Sequence, residues 1–209
     1  MQTIKIGSKG EDVKKLQSYL NLYVDGIFGK MTEESVKQFQ KDNGLVSDGI
    51  VGNKTWDKLE QIFGQELKKS TRNIKEIILH CSATPEGKDY DVNTIRKWHL
   101  QRGFTDIGYH YIIYRDGSIH DGRNVNISGA HCTNHNAKSI GICYIGGLDS
   151  TGKTAKDTRT KEQKKSLVSL VKQLMNIYKL SASDVHCHNE YANKACPSFK
   201  IADFRNELK

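Results

Sequence analysis

Proline is scarce in this 209-residue chain, with two in all, and no run of apolar residues approaches the length needed to cross a bilayer. Those absences set aside collagen-like, Pro-rich disordered and membrane-spanning chains. The N-terminus, Met1 to Gly7, lacks a basic segment followed by roughly 7 to 15 apolar residues, so no secretory signal is read and synthesis in the cytoplasm is expected. Arginine is missing from residues 1–66 altogether. Cysteine occurs five times, at 81, 132, 143, 187 and 196, and an odd number cannot form a fully paired framework within one chain. Free or metal-bound thiols are expected. What remains, 36% hydrophobic and 27% charged residues, is the composition of a soluble globular protein with room for one large domain or two small ones.

The net charge of +8 suggests an anionic partner such as nucleic acid, a membrane surface or a bacterial wall polymer. It is unevenly placed. Residues 1–66 hold nine lysines against ten acids, whereas residues 67–209 hold 23 basic against 14 acidic groups.

The first sixty residues contain a repeat: Asp25-Gly-Ile-Phe-Gly29 returns 23 residues later as Asp48-Gly-Ile-Val-Gly52. Each Asp-Gly pair predicts a tight turn, with the aspartate bonding amides two residues on, glycine taking a positive φ, and one buried isoleucine between the glycines. A helix is predicted after each turn. Thr32 reads as the cap of one, with Glu33 and Glu34 at its positive end, Val36 and Phe39 on its buried face and Gly44 beyond its end. Val13, Leu16 and Leu20 upstream, and Trp56, Leu59 and Ile62 downstream, show the same spacing.

The pattern Gly10, Val13, Leu16-Gln17, Asp25-Gly-Ile-Phe-Gly29, Thr32, Val36, Phe39-Gln40, Gly44-Leu45, Asp48-Gly-Ile-Val-Gly52, Thr55-Trp56 resembles the three-helix peptidoglycan-binding domain. The resemblance implies an all-α module over residues 1–62 that binds bacterial wall. Residues 63–73 are polar and without period, and are read as a short linker.

Over 74–209 strands and helices intermix. Strands are predicted at Ile74–Leu79, Ser139–Ile145 and Val185–His188, helices over Val92–Gly103, Thr160–Tyr178 and Ile201–Leu208, and a hairpin over Tyr109–His120 with a type I′ turn at Asp116-Gly117. Thr160 and Gln163 form a capping box. A central mixed β-sheet flanked by helices on both faces is the fold these elements suggest, so the chain reads as two domains, all-α then α/β.

The chemical candidates here are His80 at the end of the first strand, His186 and His188, and Cys196. Zinc takes nitrogen and sulfur donors in a tetrahedron and, where catalytic, keeps one position open. Period-two alternation puts His186 and His188 on one strand face, so spacing leaves the two competing for one role. No His-Glu-x-x-His helix exists, which removes the commonest zinc protease signature.

The strings Ile78-Leu-His-Cys-Ser-Ala-Thr84, Gly108-Tyr-His-Tyr-Ile-Ile113, Arg115-Asp-Gly117, Gly129-Ala-His131, Ser139-Ile-Gly-Ile-Cys143 and Lys194-Ala-Cys-Pro-Ser-Phe199 resemble the zinc N-acetylmuramoyl-L-alanine amidases of phage-lysozyme type, relatives of animal peptidoglycan-recognition proteins. The resemblance implies one zinc ion per chain held by His80, His188 and Cys196, with Tyr109 and Lys194 catalytic and His186 outside the ligand set. His110 and His131 are candidate substrate contacts. Two neutral imidazoles and a thiolate would leave the zinc site positive, and Lys194 would help stabilise an oxyanion while Tyr109 orients water or carbonyl. No carboxylate base is visible near the motifs.

The implied function is cleavage of the amide between N-acetylmuramic acid and L-alanine by a monomeric phage or prophage endolysin acting on the cell wall, with a non-catalytic peptidoglycan-recognition protein as the alternative. A nucleic-acid partner has no motif beyond charge and is not expected. The basic second half then reads as attraction to an anionic envelope.

Overall fold

The computed structural model describes residues 1–20, 22–64, 67 and 69–208, and the chain divides into two compact units, 1–65 and 66–209. In the first unit α1 (Glu11–Tyr19), α2 (Lys30–Asp42) and α3 (Asn53–Phe63) enclose a core of Val13, Leu16, Phe28, Val36, Phe39, Val51, Trp56 and Leu59. The repeat is visible as a duplicated hydrogen-bond clamp. Gln17 Nε2 donates to Asp25 Oδ1 at 2.7 Å and Ile27 O at 3.1 Å, while Gly26 N–H donates back to Gln17 Oε1 at 2.8 Å. Gln40 repeats this on Asp48 at 2.8 Å and Ile50 O at 2.9 Å, with Gly49 N–H returning at 2.9 Å. Each turn is thus fastened to the helix before it.

Two expectations fail here. The buried residue between the glycines is Phe28 or Val51, while Ile27 and Ile50 are exposed, because the extended step after the Asp-Gly turn aims the second side chain inward. Thr32 does not cap its helix. Gly29 occupies the cap position, and Thr32 lies buried inside the first turn, accepting from Gln17 as Thr55 does from Gln40.

The second unit runs β1 (Glu76–Cys81), β2 (Thr84–Pro85), α4 (Val92–Gln101), β3 (Tyr111–Ile113), β4 (Ile119–Asp121), β5 (Ser139–Tyr144), β6 (Gly147–Leu148), α5 (Lys161–Tyr178), β7 (Val185–Cys187) and α6 (Ile201–Glu207). Five strands form a mixed sheet in the order β4-β3-β5-β1-β7, antiparallel only between β3 and β4, while β2 and β6 pair separately. Ile77, Leu79, Ile140, Ile142 and Tyr144 form one face and pack on Leu167, Leu170, Val171 and Leu174 of α5 and Phe204 of α6. The opposite face takes Ile112 against Ile95 of α4, with Ile107 and Ile145. Thr160 and Gln163 form the predicted capping box at the start of α5.

The linker predicted over 63–73 shrinks at both ends, and its positions 65, 66 and 68 lie outside the described residues. Phe63 closes the helical core, whereas Ser70 and Arg72 belong to the second unit, each donating to Val125 O at 2.7 Å. The hairpin turn also differs. A type I′ turn needs positive φ at both central residues, but Gly117 alone has it (φ 86°); Gly117 N–H bonds Tyr114 O and Tyr114 N–H bonds Ser118 O, both at 2.9 Å. The loop is therefore one residue longer than a two-residue hairpin.

Candidate metal centre

His80 lies at the C-terminal end of the interior strand β1, opposite Cys143 of β5, and is buried. The strand predicted through His188 stops at Cys187, whose N–H donates to Glu190 Oε2 at 2.8 Å across a 3₁₀ turn, His188–Glu190. That turn separates the two competing histidines. His188 joins His80, whereas His186 sits by Arg205 (3.2 Å) and Glu190 (3.4 Å).

Cys196 arrives in the loop that follows, fastened by Asn189 N–H to its carbonyl at 2.9 Å. Ligand atoms of His80, His188 and Cys196 all lie within 4.8 Å of one another, and His80 Nδ1 is 3.8 Å from Cys196 Sγ. Two donors on a tetrahedral zinc ion, at about 2.0 and 2.3 Å from it, stand about 3.5 Å apart, so the constellation has the right size.

The protonation states suit coordination as well. Burial, then neighbouring His131, holds His80 well below the ordinary histidine range, and burial followed by Lys194 lowers His188. Both are neutral imidazoles near neutral pH. The Cys196 thiol is pushed up by its hydrogen bond with Cys81 and by burial, yet its sulfur accepts the Cys81 N–H at 3.3 Å, a donor that favours thiolate. A sulfur so placed ionises when a cation stands against it.

Behind the ligands runs a chain of hydrogen bonds whose direction is dictated by its last member. Ser139 Oγ donates to the His135 carbonyl at 2.8 Å, so it accepts from His131 Nε2 at 3.3 Å; His131 Nδ1 then accepts from His80 Nε2 at 3.0 Å. His80 is left with a lone pair on Nδ1, the atom facing Cys196. The His131 ring is wedged so tightly that a Cβ at Gly141 would meet it at 2.4 Å.

His131 and His110 therefore do not meet the expectation of substrate contacts. Both are buried beneath the site. His110 Nδ1 accepts from Gly141 N–H at 2.9 Å, Nε2 bonds Ile127 O at 3.1 Å, and burial pushes its pKa down to about 4.

Tyr109 and Lys194 do reach the open side, lining a cleft of about 530 Å³ together with His188, Cys196, Tyr90, Trp98 and Arg102. Tyr109 lies between His80 and His99, with ring centres 5.1 and 5.3 Å away. It keeps part of its surface open, but its dense surroundings hold the phenol well above the usual tyrosine value. Lys194 is exposed. Among the described residues, no aspartate or glutamate lines the cleft. His99, for which the sequence gives no functional signal beyond its place in the last turn of α4, supports Tyr109 and accepts Gly108 N–H on Nδ1 at 2.9 Å.

Residues 70–199 match the N-acetylmuramoyl-L-alanine amidase family and residues 9–59 match the peptidoglycan binding domain family. The chain is 39% identical over 142 residues to the endolysin of Escherichia phage T7, covering 67% of this chain and 92% of that protein. It is 34% identical over 112 residues to peptidoglycan-recognition protein SC2 of Drosophila melanogaster, covering 53% of this chain and 58% of the relative. Among solved structures, the amidase LysC from Clostridium intestinale URNW aligns with a TM-score of 0.56 at 28% identity, over 68% of this chain and 93% of that one. With the family match spanning more than half its length, and with a histidine–histidine–cysteine cluster at the end of an interior strand of its sheet, the chain belongs to the N-acetylmuramoyl-L-alanine amidases.

Proposed function

We propose that His80, His188 and Cys196 hold one zinc ion per chain, and that Tyr109 and Lys194 act on the muramyl–alanine amide that this peptidoglycan hydrolase cleaves. The observation carrying this reading is the convergence of the three donor atoms within 4.8 Å on a cleft that, among the described residues, no carboxylate lines. A zinc ion there supplies Lewis acidity, polarising a carbonyl and bringing the pKa of water to about 7.

The chain's own groups do the rest. Lys194 faces the cleft with its ammonium and opposes the negative charge that builds on the carbonyl oxygen. Burial keeps Tyr109 protonated, so its hydroxyl donates a hydrogen bond, orienting the carbonyl or meeting the departing alanine nitrogen. The chain through His131 and Ser139 fixes the His80 tautomer before substrate arrives.

Residues 1–62 serve as the wall anchor on this reading, with the basic remainder drawn to an anionic envelope. The protein acts as a monomeric endolysin that is made in the cytoplasm and reaches the wall from within. A digest of purified wall should show new N-terminal alanine, lost on chelation and in Cys196→Ala. Products cut only at glycosidic bonds would sink the proposal. Lysis should weaken as salt rises if the envelope attraction holds.

A further inference from the structure

We infer that Glu76 is a positioning residue for the metal centre: its carboxylate joins the loop that supports His80 to the turn that brings in His188 and Cys196, and so keeps the three donors at coordinating distance. The inference rests on the zinc-site reading above and adds to it a residue that touches neither metal nor substrate.

Glu76 opens β1, and His80 stands next to its end. Four residues apart, they share the histidine face of the strand, with about 13 Å between them at roughly 3.3 Å per residue. Only 14% of the Glu76 side chain is exposed, so its charge needs partners within the protein. It has one for each oxygen, and they come from different parts of the chain. Oε1 accepts from His135 Nδ1 at 2.9 Å, and Oε2 accepts from the Tyr191 hydroxyl at 2.8 Å. A carboxylate has no proton to give, so Nδ1 of His135 carries one. Burial and the bond to Glu76 hold the Tyr191 phenol above its ordinary value, which keeps it a donor. The two donor rings lie on each other, with centres 3.7 Å apart and planes 23° from parallel.

Each partner stands where a segment of the site is anchored. His135 lends its carbonyl to Ser139 Oγ at 2.8 Å, the last bond of the chain that orders the His80 ring, and Ser139 is the β5 neighbour of Glu76 in the sheet. The loop between is folded on its own atoms, since Asn136 Oδ1 accepts from the N–H groups of His131 and Cys132 at 2.8 and 2.9 Å. Those bonds set its shape. Its place against the sheet is held from outside, by Arg72 Nη1 on Asn136 O at 3.1 Å and by Glu76 on His135.

Tyr191 closes the 3₁₀ turn that begins at His188, its N–H bonded to His188 O at 3.1 Å, and Asn189 N–H bonds Cys196 O at 2.9 Å. These bonds too are internal. Glu190 fastens the turn to β7 and α6, through Cys187 N–H at 2.8 Å and Arg205 at 3.4 Å. Tyr191 fastens it to β1, the strand that presents His80. One carboxylate therefore fixes both segments against the same strand. Donors that already stand together when the ion arrives spare binding the work of ordering them, and affinity rises accordingly. Without Glu76, the Tyr191 hydroxyl and the His135 N–H lose their acceptor at once, and both segments are loosened together.

The test uses the full-length protein, stripped of metal and titrated with zinc against a chromophoric chelator, with the unfolding midpoint of each variant read with and without zinc. Glu76→Ala should weaken zinc affinity about tenfold, the lower end of the range for partners of metal ligands. Tyr191→Phe removes one hydroxyl, keeps the ring on His135 and should weaken affinity about threefold. Glu76→Gln should recover most of the loss, because its amide oxygen accepts from Tyr191 and its NH2 donates to His135 Nδ1 in the other tautomer. Combining Tyr191→Phe with Glu76→Ala should add nothing to Glu76→Ala alone, since both remove the same tie. The rise in midpoint that zinc gives should shrink in Glu76→Ala, as stabilisation by a ligand follows its affinity.

A purely structural carboxylate would lower the midpoint equally with and without zinc and leave the affinity unchanged; that result overturns the inference. So does a Glu76→Gln affinity as low as that of Glu76→Ala. An unchanged affinity in Tyr191→Phe overturns it too, and that variant decides the matter if circular dichroism shows Glu76→Ala unfolded. If the wild-type protein takes up no zinc, the zinc-site reading fails instead.

Discussion

The two faces of the central sheet use the same strands for different ends. On β1, Ile77 and Leu79 turn toward α5 and α6 and pack into the apolar core, which Cys81 joins at the strand's end. One residue out of step, His80 turns the other way and meets His131, His188 and Tyr109. Period-two alternation thus divides one strand between holding the fold and holding the donors. The helix-covered face is tolerant of chemistry's absence, whereas the histidine face keeps buried polar rings that are stable only because each has a defined partner.

Breaking the histidine face should cost activity before stability. Cys196→Ala is expected to lower amide cleavage about a thousandfold or more in a wall-digest assay, since it removes one of the three donors of the proposed zinc site. Breaking the helix-covered face should do the reverse. Leu170 of α5 is fully buried, and Leu170→Ala should cost about 2 to 5 kcal/mol in urea unfolding while the folded fraction keeps its specific activity.

Acid separates the faces without mutation. His110 has a folded pKa of about 4 because it is buried, so the unfolded chain binds its proton first as pH falls. Stability is fully present above an unfolded value of about 6.5 and is lost between there and pH 4, by on the order of 3 kcal/mol for this residue. Unfolding of His110→Asn and wild type across that window should show a shallower slope in the variant.

Removing the support of a ligand is a gentler break. His131→Ala takes away the acceptor of His80 Nε2 and should weaken zinc affinity about 10 to 100-fold in a competition titration with a chelator; an unchanged affinity would refute the orienting role. At the smallest scale, Thr160→Ala removes the cap of α5 and should cost about 1 kcal/mol in thermal unfolding, with zinc affinity untouched.

How much of this is legible in the chain follows the same division. The apolar face was readable from periodicity, including the stripe on α5 and its capping box, because burial there is a property of spacing. The donors were legible as motifs, and resemblance separated His188 from His186, but the physical reason, a 3₁₀ turn begun after Cys187, depends on a backbone bond to Glu190 that no spacing reveals. The sequence offers His110 and His131 as candidate substrate contacts whereas the structure buries both, since they stand outside long regular elements, where alternation no longer says which way a ring points. The exposed Ile27 and buried Phe28 reversed for a similar reason: a turn resets the phase of the chain that leaves it.

The hydrogen-bond chain behind His80 ends on the main-chain carbonyl of residue 135, and that ending has an evolutionary consequence. A side-chain acceptor could be lost by one base change, taking the polarity of the chain with it. A carbonyl is encoded by every residue, so this acceptor survives any substitution at 135 that leaves the backbone in place, and the polarity of the chain rests on the side chains of His80, His131 and Ser139 and on the room that glycine at 141 leaves for the His131 ring.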